Sequence, residues 1–178
     1  NLFYSGYLMG LTGYLPLYLR EIGWKAASAD GALAVFNGAG MVAAIPLTLL
    51  SGRLGSRKMI LVPSLIIAVI SVGLLSVAEG SIIWLLVILI GLGRDAYYAI
   101  ITTMIIETEG VGAAYAGTAI GIVWTVGNLG GFIGPPVGNI LAGFYPGSAF
   151  IFWSVLVLAS VLIFRQTEET GQGKKFAC

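Results

Sequence analysis

Long apolar runs, interrupted only by short clusters of charge, constrain this sequence more than any other feature. Charged residues gather at positions 20–30, 53–58, 79, 94–95, 107–109 and 165–175, and the uncharged stretches between them reach about 18 residues or more. As α-helix, such a stretch crosses the roughly 30 Å of hydrocarbon in a bilayer. With 58% of residues hydrophobic, only 10% charged and a mean hydropathy of +0.97, the solvent for most of the chain is lipid. Barrel strands do not fit, because the runs lack polar/apolar alternation and are about twice the length of a barrel strand. The expected fold class is all-α, a polytopic transmembrane helical bundle.

Hydropathy and helix breakers predict six spans: Leu2–Leu19, Gly31–Leu50, Met59–Ala78, Ser81–Ile106, Ala116–Leu141 and Ser148–Phe164. Residues 1–164 form the bundle and residues 165–178 a C-terminal tail. An even number of spans places both termini on one side, with Arg53, Arg57, Lys58, Arg165, Lys174 and Lys175; Arg20 and Lys25 fall opposite. The basic side is the cytoplasmic one, so both ends are expected in the cytoplasm, on an integral protein of the plasma (inner) membrane. Asn1 leads directly into apolar sequence without a basic n-region or a small-residue cleavage site. That reads as a fragment beginning inside or just before a helix, not as a signal peptide.

Composition removes whole classes of chemistry. There is no histidine, and the single cysteine, Cys178, is the last residue. His-based catalysis, His proton relays, His or Cys metal sites and an intrachain disulfide are thereby excluded, and no metal or cofactor is expected. An intramembrane enzyme would need a Ser/Lys pair, yet no lysine lies inside a span, so an enzyme is not expected either. No basic, aromatic-interleaved surface suits nucleic acid.

Arg94 and Asp95 stand near the middle of the fourth span, about 20 Å along the helix from Ser81. A charge at that depth costs a few kcal/mol or more, so it should face a bundle interior or a watery cavity and have a partner. Adjacent helical residues diverge by about 100°, and the two are expected to point at different neighbours rather than pair with each other. Functionally, Arg94 attracts an anionic solute group while Asp95 takes a coupling proton or keeps the surroundings neutral. A structural ion-pair network bracing the helices is the alternative.

Polar residues at helical spacing mark cavity-lining faces. They are Thr118, Gly121, Thr125 and Asn128 beside Trp124 on the fifth span, and Tyr4, Tyr7, Leu11, Tyr14 and Tyr18 on the first. In the outer half of the second span Asn37 is the clearly polar residue. The candidate substrate contacts are therefore Arg94, Tyr98, Trp124, Thr125, Asn128, Tyr7, Tyr14 and Asn37, with Asp95 for proton coupling. Much of the glycine is spaced by four, as in Gly6 and Gly10, Gly117 and Gly121, and Gly130, Gly134 and Gly138, which lets helix backbones approach closely in lipid. The phrase Gly130 to Gly138 contains Pro135 and Pro136, whose missing amide donors should kink or loosen the fifth helix, as a moving element or a static bend.

The loop Arg53-Leu-Gly-Ser-Arg-Lys58 resembles the cytoplasmic loop motif of the major facilitator superfamily, a Gly followed after three residues by Asp-Arg-x-Gly-x-Arg-Arg/Lys. Arg53, Gly55, Arg57 and Lys58 fit; Thr48 replaces the leading Gly and Gly52 the Asp. Gly121, Gly130, Gly134, Pro135 and Gly138 match the spacing of the family's antiporter motif, with Asn139 in place of a second closing Gly. The degenerate loop motif, and Glu168-Glu-Thr-Gly171 resembling a Pro-Glu-Thr pattern after the last span, point to the C-terminal half. Gly127-Asn-Leu-Gly-Gly-Phe-Ile-Gly134 is similar to eleventh spans in anion-transporting branches.

The resemblance implies one six-helix half of a two-half secondary transporter, with a central cavity and alternating access by rocking of the halves. The expected function is movement of small anionic solutes by symport or antiport, with coupling to protons. The expected partners are a small-molecule solute, the lipid bilayer, and the missing N-terminal six-helix half or a second copy. The alternative is a non-transporting scaffold or a pore-forming bundle, in which the charged pair only holds helices together.

Overall fold

Glycine punctuates the helical runs: Gly23, Gly55, Gly80 and Gly110 all have positive φ and lie in the first four connections, where a side chain would be strained. The computed structural model describes residues 1–167, 169 and 170. Between the turns run α1 (Leu2–Glu21), α2 (Ala26–Leu54), α3 (Lys58–Leu74), α4 (Ile82–Glu107), α5 (Gly112–Ala142) and α6 (Ser148–Gln166), and there is no strand among the described residues. Each matches a predicted span. The largest difference at a helix start is in α2, which begins five residues earlier than predicted, because Asp30 is paired with Arg20 of α1 at 2.6 Å in an exposed position and does not interrupt the helix.

Four helices are long and apolar enough to cross a membrane by length and composition: α2, α4, the Ala114–Ala142 part of α5, and α6. The sequence reading counted six. In α1 the buried Tyr4, Tyr7, Tyr14 and Tyr18 lower the hydropathy of a helix that is nonetheless turned into the core, and α3 has only 17 residues.

The bundle is built on two close helix pairs, α2 with α4 and α1 with α5, joined where α3 packs on α6. Its core runs along α1 (Tyr7, Leu11, Leu15, Leu19) to Phe150 and Trp153 of α6 and Ile83, Ile90 and Ile100 of α4. α2 and α5 stay largely uncovered. Met41, Val42 and Ile45 of the one and Leu129, Phe132 and Ile133 of the other are exposed, a quantity of apolar surface suited to lipid or to a partner and not to water.

The α1–α5 crossing is backbone on backbone. A Cβ at Gly6 would lie 3.1 Å from the carbonyl oxygen of Gly130, one at Gly134 would overlap the Gly6 carbonyl, and one at Gly130 would overlap that of Leu2. Trp153 of α6 presses its indole against Gly10 and Gly138 and donates from Nε1 to the carbonyl of Gly134 at 3.3 Å. Since lipid supplies little hydrophobic drive between helices, such close van der Waals contact is what holds them. Gly121, in contrast, meets nothing within 4 Å. α5 is assigned as one helix through Pro135 and Pro136, so the double proline does not end it.

Candidate functional site

Arg94 and Asp95 sit mid-way along α4, facing α2, and they do pair with each other. Arg94 Nε donates to Asp95 Oδ1 at 2.8 Å. The sequence expectation that they diverge holds for Cβ directions, but an arginine side chain is long and flexible enough to fold back onto its neighbour's carboxylate.

The same guanidinium donates from Nη1 to Asn37 Oδ1 of α2 and lies 5.2 Å from the centroid of the Phe36 ring. Asn37 is itself oriented by donating from Nδ2 to the carbonyl of Leu33, 2.8 Å away. On the other side of the pair Asp95 Oδ2 is seated against Gly40, where a Cβ would come within 2.7 Å of it. The helices reach this separation because Gly91 of α4 abuts the carbonyl of Phe36. The side chains of Arg94 and Asp95 are 19% and 25% exposed, so the cluster is half-buried and still open on one side. Two charges of opposite sign share one desolvated space, with a neutral amide and an aromatic face completing the arginine's surroundings.

Tyr98 follows Arg94 by one turn on α4 and stacks on Trp124 of α5, with centroids 5.0 Å apart and planes at 19°. Tyr7 is buried deeper, in a group with Tyr4, Tyr97 and Tyr98 at the α1–α4 contact; Tyr4 and Tyr97 are stacked and Tyr4 meets Tyr7 edge-on. Tyr14 is elsewhere, among Tyr18, Phe150 and Trp153, with its hydroxyl 3.4 Å from the carbonyl of Pro146. Thr125 and Asn128 are exposed on α5, and the Thr125 hydroxyl donates to the Gly121 carbonyl at 2.8 Å. The structure thus gathers Arg94, Asp95 and Asn37 into one cluster, sets Tyr98 and Trp124 beside it, and leaves Tyr14 apart. Phe36, Gly40 and Gly91 were not legible as site residues; in the sequence they are ordinary apolar and small positions.

Tyr97 is 3% exposed, and its hydroxyl finds no hydrogen-bond partner among the described residues. Tyr97→Phe keeps the stacked ring and removes a desolvation cost of about 1–3 kcal/mol, so it is expected to raise the thermal midpoint in detergent. A lowered midpoint would mean that the hydroxyl is satisfied after all.

At the end of the bundle that holds the α2–α3 loop, Gly55 closes α2 in the left-handed conformation at φ 68°. Arg57 then reaches Glu107 at the end of α4 with both Nη2 (2.7 Å) and Nε (3.2 Å). The Glu107 carboxylate holds the Arg57 guanidinium above its ordinary pKa, against the opposing effect of burial. Glu169 accepts from Ser56 Oγ (2.7 Å) and from the backbone N–H groups of Arg57 (2.9 Å) and Lys58 (3.2 Å), capping α3 where its own sequence supplies no side-chain cap. Lys58 Nζ donates to the carbonyls of Arg165 and Thr167, and Arg53 is exposed. The result is a clasp joining the α2–α3 loop, the end of α4 and the segment after α6. Glu168, Gly171, Lys174, Lys175 and Cys178 lie outside the described residues.

The family described as Major Facilitator Superfamily matches residues 1–177. No curated protein matches the chain.

Proposed function

The chain belongs to the major facilitator superfamily, whose members are membrane transporters, and on that premise we propose that it is the C-terminal six-helix half of a secondary active transporter for small anions, coupled to protons. The observation that carries this reading is the half-buried Arg94–Asp95–Asn37 cluster, a cation held in place by a carboxylate that a proton can neutralise. When Asp95 takes a proton, its charge is lost and Arg94 is released to pair with the anion. When anion and proton both leave on the opposite side of the membrane, the Arg94–Asp95 bond re-forms. For a monovalent anion the cluster stays neutral throughout, which avoids placing net charge at mid-membrane.

The open faces of α2 and α5 are where the other half, or a second copy, docks to complete the cavity. The basic α2–α3 loop supports, by the positive-inside rule, an orientation in which both chain ends face the cytoplasm, in the plasma (inner) membrane. There the Arg57–Glu107 and Lys58 contacts, with Glu169, fasten the cytoplasmic face while it is closed.

The test uses proteoliposomes of the natural gene product and a panel of radiolabelled carboxylates. Accumulation is expected under an inward proton gradient and should collapse with a protonophore. Asp95→Asn is expected to retain anion exchange and lose accumulation, because Arg94 stays available but nothing binds the coupling proton. Accumulation that ignores the protonophore would remove Asp95 from coupling, and ion currents faster than a carrier can turn over would favour a pore.

A further inference from the structure

From the aromatic stack beside the charged cluster we infer the chemical class of the solute: a planar ring carrying a carboxylate, an aryl carboxylate. This rests on the proposed anion site and narrows it.

Trp124 is 37% exposed, and it sits about 18 Å along α5 from Gly112, well inside the span. Tryptophans in membrane proteins gather at the two interfaces, so an exposed one at this depth is not a belt residue. Its helix neighbours on that flank, Gly121, Thr125 and Asn128, are also exposed, with Phe132 one turn beyond Asn128 on the same face, while Ile122, Leu129 and Ile133 lie further round the helix. The Thr125 hydroxyl is satisfied by the Gly121 carbonyl, but the exposed Asn128 amide favours a watery path over hydrocarbon.

The stack itself is ordered. Tyr98 is held between Trp124 on one side and the edges of Tyr4 and Tyr97, so Trp124 offers a ring plane already fixed in direction. Arg94 and Tyr98 are neighbours at i and i+4, with about 5–6 Å between such positions on a helix. With the arginine one turn from the stack, a single small solute can set its carboxylate on the guanidinium and its ring along the stack. Nε and Nη1 of Arg94 are engaged by Asp95 and Asn37, and the remaining N–H donors of the fork, joined by Nε once Asp95 is protonated, meet the solute. A saturated ring of equal size and charge would satisfy Arg94 equally but could not stack face to face, so the discrimination comes from ring planarity.

Benzoate and cyclohexanecarboxylate differ in little else. Radiolabelled uptake of each, with formate alongside, is measured in proteoliposomes of the natural gene product and of Trp124→Leu. The expected result is a preference for benzoate of roughly two- to tenfold in the natural protein, falling close to unity in the variant. Equal uptake of benzoate and cyclohexanecarboxylate by the natural protein overturns the aryl inference and leaves the anion site standing. Uptake of formate alone does the same. No uptake of any of the three overturns both. Because the ratio is read first in the natural protein, poor folding of Trp124→Leu cannot conceal a failure.

Discussion

Gly134→Ala destabilises the bundle by about 3 kcal/mol, at the upper end of what overpacking costs, while Gly121→Ala on the same helix changes stability by less than about 1 kcal/mol. The difference lies in what the new methyl group meets. At Gly134 it collides with the backbone of Gly6, and no rotamer change can relieve a clash with a carbonyl on a neighbouring helix; at Gly121 it enters open space. To make room α1 must move away from α5, which also shifts Trp153 out of contact with Gly10 and Gly138 and lengthens its bond to the Gly134 carbonyl. Thermal midpoints of the two variants in detergent, followed by size-exclusion monodispersity, check this. Equal midpoints would mean that α1 and α5 are not held at this separation by their glycines.

Arg94→Ala should reduce solute uptake roughly 100-fold, equivalent to about 2.8 kcal/mol at 1.4 kcal/mol per decade. On the proposed function the substitution removes the cation that meets the anion; it also frees Asn37 Oδ1 and leaves the Asp95 carboxylate half-buried without its partner. A half-buried carboxylate without its partner carries a desolvation cost, so a lowered thermal midpoint is expected alongside the loss of uptake. Arg94→Lys is expected to fall between, because an ammonium is a point charge and cannot span Asp95 and Asn37 with one planar group.

The double variant Arg94→Ala/Asp95→Ala separates a binding role from a bracing one. If Arg94 binds solute, the double variant regains thermal stability over Arg94→Ala and remains inactive. Wild-type uptake by Arg94→Ala, with a lowered midpoint that the double variant restores, would assign the pair to bracing α4 against α2.

The six helices could be read from the sequence because a membrane helix is written as a continuous apolar run, and little else in the chain competes with that signal. Which side chains meet was less legible. Asp30 looked like the end of a span but is paired with Arg20 across a turn, and the cap on α3 comes from Glu169, over a hundred residues away. Gly121 and Gly134 share one motif and one helix, yet the first faces open space and the second lies against the backbone of α1.

The sequence by itself determined that this chain lives in a membrane, that it is helical, and that a charged pair is held at mid-depth, since each follows from the price of exposing polar groups to hydrocarbon. The tertiary structure decided which neighbours that pair has: Arg94 folding back on Asp95, Asn37 and Phe36 arriving from α2, Gly40 receiving the second carboxylate oxygen, and Tyr98 stacking on Trp124. Those contacts depend on side-chain reach and on which helices abut. Local sequence, in which lipid-facing, partner-facing and core-facing residues are all apolar, does not encode that choice one residue at a time.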